Sequence, residues 1–194
     1  MAGARKQKSK PSRGRAKTPV AIDFHAHIVV PEVFAVTQSH GLHARLGLGP
    51  VAALGGAART EEVMRKMTGT RDRLADMDAM GVDIQVISPS LVHSGTYWAD
   101  PDEAIRLDRM TNDGLAEMVS TNPDRFVGIG IVPMHEPALA VAELERCVKS
   151  LGLKGVAIST EINGAEIGDP KFRPFWKTAE ALGATVFVHP AGND

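Results

Sequence analysis

The sequence predicts an α/β protein in which parallel strands are covered on the outside by helices. Apolar runs recur at residues 82–89, 126–132, 155–159 and 185–190 after a first one at 20–24, and the stretches between them carry apolar residues at helical spacing. Near-continuous apolar strands alternating with helices argue for a parallel sheet rather than a sandwich. A further regularity is chemical: the first and fifth runs both end in histidine.

The elements follow in order. Residues 20–24 form the first strand, and alternation of side chains along it puts Asp23, His25 and His27 on one face. Residues 31–59 are rich in Gly and Ala and weakly periodic, so a long excursion covering the end of that strand is expected, with His40 and His43 as solvent-exposed loop histidines. Gly47-Leu48-Gly49-Pro50-Val51-Ala52 fits a dinucleotide fingerprint only superficially, because no strand precedes it and Pro50 directly follows the second glycine. Helical patterning begins at Glu61 and restarts near Thr70, where Leu74, Met77 and Met80 precede a terminating Gly81. After the second strand (82–89), Asp100-Pro101-Asp102-Glu103 reads as an N-cap, a proline at the first helical position and a capping box for a helix to about Ser120.

Asn122-Pro123 ends that helix. The third strand (126–132) carries Gly128 and Gly130, which leave room on one face. Pro137 opens a helix with Ala140, Leu144, Cys147, Val148 and Leu151 on its apolar stripe, closed by Gly152. The fourth strand (155–159) is followed by a helix from about Pro170 that buries Phe172, Phe175, Trp176 and Ala179, and the fifth strand (185–190) ends in His189-Pro190. These aromatic residues read as core.

Composition sets limits. The 194 residues are 43% hydrophobic and 23% charged, enough apolar material for one domain with a sizeable core. Residues 1–19 stand apart: seven cationic side chains and no acidic one fall in the first seventeen positions, among Ser, Gly and Pro. That is a disordered basic arm, and without interleaved aromatics for base stacking a nucleic-acid partner is not expected. Residues 20–194 hold the folded part. The single cysteine, Cys147, has no disulfide partner within the chain and lies on an apolar helix stripe, so it is read as buried packing in a reducing, cytoplasmic setting. No apolar run is long enough for a signal sequence core or a membrane span.

His25-Ala26-His27 is the chemical centre of this reading. Two imidazoles on one strand face can converge on one divalent ion such as zinc, although two histidines can also simply lie where a strand meets solvent. His189, at the C-terminal end of the fifth strand, favours the metal: in a barrel of parallel strands the C-terminal ends are where sites are built, and strands one and five lie across the lumen from each other. Asp23 could orient an imidazole, cap the strand or pair with a cation.

With these residues in place, the chain resembles a known family. Asp23-Phe24-His25-Ala26-His27, Arg125-Phe126-Val127-Gly128-Ile129-Gly130, Val132-Pro133-Met134, Glu143-Leu144-Glu145-Arg146-Cys147 and Phe187-Val188-His189-Pro190 are similar to the amidohydrolase superfamily, in its aminocarboxymuconate semialdehyde decarboxylase branch. The resemblance covers residues 20–194 and implies a metal-dependent TIM (β/α)8 barrel with about five of its strands present, in which His25, His27 and His189 match metal ligands. It also implies a later histidine and a last-strand aspartate, for which this sequence has no matching positions, so the catalytic acid/base residues are unassigned.

The activity implied is that of a carboxy-lyase acting on a small carboxylated semialdehyde or aromatic-derived acid, the complete enzyme being a homodimer. Hydrolysis of esters, lactones or amides is the alternative reaction, and a metal-binding half-barrel without turnover is the non-enzymatic one. Members hold a substrate carboxylate with an arginine before the first helix; Glu61 or Glu62 falls there, leaving Arg59 and Arg65 as the nearest candidates, while Trp98, with Tyr97, could wall the pocket. A five-stranded arc exposes apolar strand faces and two sheet edges, so the chain alone is expected to turn over poorly and to be marginally soluble.

Overall fold

Strand-helix alternation produces an arc of parallel strands in the computed structural model, which describes residues 20–40 and 57–190. The basic arm and His43 lie outside the described residues. Strand β1 (Ile22–Ile28) pairs in parallel with β2 (Ile84–Pro89), and β2 with β3 (Phe126–Gly128). The third expected strand is divided: β4 (Gly130–Ile131) pairs instead with β5 (Gly155–Ser159), which pairs with β8 (Thr185–His189). The Ile129 N–H still reaches the Ile87 carbonyl at 3.0 Å, a length typical of a ladder bond, so the two sheets succeed one another along one segment.

Helices fill the connections. They are α1 (Pro31–Ser39), α2 (Ala57–Thr68), α3 (Arg71–Met80), the short α4 (Leu91–Ser94), α5 (Pro101–Thr121), α6 (Pro137–Lys149) and α7 (Arg173–Leu182), the last preceded by a 3-10 turn at Pro170–Phe172. Part of the expected loop over 31–59 is thus helical. Pro31 occupies the first helical position and Val33 and Thr37, four residues apart, are both buried. A hairpin of β6 (Glu161–Ile162) and β7 (Ala165–Glu166) turns at Asn163-Gly164, both with positive φ, the chemistry such a two-residue turn requires.

Asp100 caps α5 as expected, accepting the Asp102 and Glu103 amides at 3.1 and 3.0 Å. The reciprocal half of the capping box is not made, because the Glu103 carboxylate is drawn to Arg106 at 3.3 Å.

Two apolar layers result. The main core joins Ile28, Ile87, Leu115, Phe126, Leu144, Cys147, Val156, Ile158, Phe172 and Phe175 between strands and helices. A smaller cluster of Val86, Ile129 and Ala157 with Val127 and Phe187 lines the other, concave face of the arc. Burial pushes the Cys147 thiol upward, as befits packing. The edge strands leave Ile22, Phe24 and Val188 exposed at 56%, 49% and 37%. Among the described residues no helix is long and apolar enough to cross a membrane.

Buried polar groups stitch helices to strands. The Asn112 side chain donates to the Ile131 carbonyl (2.9 Å) and to Glu143 (2.8 Å) and accepts the Ile131 amide (2.8 Å), which fixes the point where the sheet divides. A Cβ on Gly130 would lie 2.5 Å from the Asn112 oxygen, so glycine is required for that approach. Glu143, fully buried, also receives Arg146 and Arg109. Asp108 is buried with Thr96 Oγ1 donating to it at 2.9 Å, and burial holds its carboxyl well above the usual carboxylate range.

Asn112→Ala leaves both backbone groups of Ile131 buried without their partner and should lower unfolding free energy in urea by about 2–4 kcal/mol; a loss below about 0.5 kcal/mol would contradict the clamp role. For Asp108, a folded pKa above the unfolded one means stability is greatest below the unfolded value, near 3.9, and falls as pH rises toward the folded value. Asp108→Asn removes that loss, so its thermal midpoint should gain on the parent as pH rises above about 4. Parallel pH profiles for the two proteins would refute the buried, neutral carboxyl.

Candidate metal centre

The strand that carries the histidine pair runs through both of them, to Ile28, rather than ending at Phe24. Its pairing with β2 slips once: Asp23 is opposite Gln85 and Ala26 opposite Ile87, so β1 has one extra residue between them. Such a bulge breaks strict alternation. Ala26 packs with the main core, as does its partner Ile87, whereas Phe24 and His25 both contact Phe187 on the concave side. Asp23 therefore does not share a face with His25 and His27, as unbroken alternation predicted. Its Oδ2 accepts Gln85 Nε2 at 2.7 Å, and its Oδ1 accepts the backbone amide of His25 at 3.1 Å.

His189 ends β8 at the opposite edge of the arc, in register with Ser159. Curvature brings the two edges together at their C-terminal ends. The three Nε2 atoms form a triangle with sides of 3.0 Å (His25 to His27), 3.2 Å (His27 to His189) and 3.0 Å (His189 to His25). Two of the remaining ring nitrogens have partners outside the triangle. His189 Nδ1 is 2.9 Å from the Pro190 carbonyl, which can only accept, so Nδ1 carries the proton and Nε2 presents a lone pair. His27 Nδ1 lies 3.3 Å from Ser88 Oγ.

This arrangement fits a metal ion. Nitrogens about 2.1 Å from a common centre lie about 3.0 Å apart at the right angles of an octahedral site and about 3.4 Å apart in a tetrahedral one, and the sides of the triangle fall nearer the first. Neutral imidazoles so placed cannot all satisfy one another by hydrogen bonding, since each pair needs one donor and His189 has none to offer at Nε2. A cation removes the conflict. Among the described residues, these three form the group whose donor atoms, all within 4.8 Å of one another, could hold an ion.

The other sequence candidates Arg65, Trp98 and Tyr97 have partners of their own. Arg59 is exposed on α2. Arg65, on the same helix, is ion-paired with Asp72 of α3. Trp98 donates its indole N–H to the Gly95 carbonyl at 2.7 Å and packs its ring against exposed His40, centroids 4.4 Å apart. Tyr97 is packed beside His135, its phenol pushed upward by burial.

Sequence reasoning missed Arg73 and Gln85, buried directly behind the histidine pair. Arg73 donates to Gln85 Oε1 (2.8 Å), the His27 carbonyl (2.6 Å) and the Lys66 carbonyl (2.9 Å). Burial lowers the pKa of this guanidinium, opposed by the charges of Asp23 and Asp76. The signal was available: Arg73 lies one turn before Met77 on a core-facing helix, and Gln85 interrupts an apolar strand.

Comparison with known proteins agrees with this fold. The signature of the amidohydrolase family, described as Amidohydrolase, matches residues 22–193, and the chain belongs to that family. Among its relatives, 2-amino-3-carboxymuconate-6-semialdehyde decarboxylase of Dictyostelium discoideum is 42% identical over 118 residues, covering 61% of this chain and 33% of the relative. Gamma-resorcylate decarboxylase of Rhizobium radiobacter is 34% identical over 143 residues, covering 67% and 42%. The solved structure of 5-carboxyvanillate decarboxylase from Novosphingobium aromaticivorans, with bound manganese and 3-methoxy-4-hydroxy-5-nitrobenzoic acid, superposes with a TM-score of 0.77 at 26% identity, over 89% of this chain and 51% of that one. The chain thus spans about half the length of that structure and less of the curated relatives. The expected membership and partial (β/α)8 barrel are both borne out.

Proposed function

We propose that this chain carries the metal-binding half of a carboxy-lyase, with His25, His27 and His189 as ligands of a divalent ion and a small carboxylated semialdehyde or aromatic acid as substrate. The observation that carries the reading is the triangle of Nε2 atoms with sides of 3.0–3.2 Å. The decarboxylase relatives support the reaction class, and the manganese in the Novosphingobium structure supports a divalent ion. Zinc is the expectation from an all-imidazole donor set.

The chain's own residues do the positioning. Pro190 holds the His189 tautomer through Nδ1, and Ser88 faces Nδ1 of His27, so both rings are fixed with Nε2 toward the shared centre. Because the three donors are neutral, none of them competes electrostatically with an anionic substrate. A bound divalent ion would supply Lewis-acid polarisation of a substrate oxygen there. The concave face below the histidines, lined by Phe24 and Phe187, offers an apolar wall for a flat or unsaturated acid. Arg59 is the candidate cation for a further carboxylate; Arg65 reaches one only by leaving Asp72, and Trp98 contributes its ring face alone. A homodimer of the complete enzyme follows from the family resemblance alone.

Metal analysis tests the reading. After incubation with zinc or manganese and removal of excess ion, the purified chain should retain about one ion, and His25→Ala and His189→Ala essentially none. Equal metal content in all three proteins would eliminate the site. With the metal-loaded protein, release of carbon dioxide from a carboxylated semialdehyde or a dihydroxybenzoate supports the lyase, whereas product that has gained water supports hydrolysis.

A further inference from the structure

We propose that Arg73, Gln85 and Asp23 form a clamp that holds the His25-Ala26-His27 backbone in the geometry that brings both imidazoles onto one ion. The inference rests on the metal-site reading above and assigns a positioning role to three residues that touch neither the ion nor an imidazole ring.

The clamp grips both ends of the tripeptide. Asp23 Oδ1 accepts the His25 amide at the bulge, where the ladder is locally disrupted, and the Arg73 guanidinium takes the His27 carbonyl at 2.6 Å. Gln85 joins the two grips, accepting from Arg73 at 2.8 Å and donating to Asp23 at 2.7 Å. Its amide has one workable orientation. Turned over, it would set an N–H against the guanidinium and an oxygen against the carboxylate, so cation, amide and anion specify a unique order.

Position and burial argue against an incidental surface network. Arg73 and Gln85 are 9% and 6% exposed, and both terminal nitrogens of the guanidinium are hydrogen-bonded, its Nε being buried without a partner. Arg73 comes from α3, Gln85 from β2 and Asp23 from β1, so the helix and strand that follow the histidines in sequence are tied back onto them. The third link from Arg73, to the Lys66 carbonyl at 2.9 Å, anchors the C-terminal turn of α2 at the same point. A bulge is locally soft, and two imidazoles two residues apart converge only while its backbone angles are fixed. The clamp supplies that constraint from the convex side, leaving the concave side free for ligand.

The test is Gln85→Met in the full chain, which keeps side-chain length but breaks both links. Three quantities are measured: the dissociation constant for manganese or zinc by competition with a chromophoric chelator, the visible spectrum of the cobalt-loaded protein, and urea unfolding of the metal-free protein. Ion affinity should fall roughly 10- to 100-fold with an altered cobalt spectrum, at unchanged stoichiometry. Arg73→Lys, which keeps the charge but not the fork, should fall in between and serves alone if the methionine variant does not fold. Asn112→Ala, destabilised far from the histidines, should bind as the parent does. Parental affinity and spectrum in folded Gln85→Met or Arg73→Lys would overturn the clamp, as would an equal loss in Asn112→Ala. A parent chain that binds no ion would instead sink the metal site itself, and the clamp with it.

Discussion

Three imidazole nitrogens within 3.2 Å of one another are an electrostatic problem that the fold has to impose and a ligand has to relieve. Lone pairs converging in this way repel unless a proton or a metal ion sits among them, and the Pro190 carbonyl already claims the proton of His189 at its other nitrogen. Convergence therefore implies that the backbone holds these rings against their mutual preference. Everything nearby can be understood as the means of doing so: the curvature that brings the first and last strands together, the bulge that separates Asp23 from the histidine face, and the buried polar chain behind it.

The arc itself is maintained from outside. Asn112 and the fully buried Glu143 join α5 and α6 to the point where the sheet divides, and Gly130 permits their approach. On the concave side, Val86, Ile129, Ala157 and Phe187 stack as inner-layer residues do in barrels, while the edge strands keep Ile22, Phe24 and Val188 exposed. A sheet this curved with uncovered edges is consistent with a family whose matched relatives are about twice or more as long as the span aligned here.

Much of this was legible in the sequence because the signals were local and strong. Apolar strands other than the divided third, the Asp100-Pro101 cap and the glycine after α3 each map onto one element, and the strand-end histidines pointed to the candidate site once the strands were placed in parallel order. What escaped depended on tertiary partners. The bulge in β1 is invisible without β2 beside it, so Asp23 was assigned to the wrong face. The helix at Pro31–Ser39 is short and only weakly amphipathic, and the Asn163-Gly164 turn flanks strands of two residues, too brief to register as apolar runs. Arg73 and Gln85 were single polar residues in apolar patterns, whose meaning appears only when their hydrogen bonds are traced across three elements.

X-ray absorption spectroscopy of the chain loaded with one equivalent of zinc or manganese examines the central claim most directly. Convergence of the three Nε2 atoms predicts an absorption fine structure with about three imidazole nitrogens near 2.1 Å, together with the outer-shell scattering of their rings. A coordination sphere made mainly of oxygen, with one imidazole or none, would contradict it.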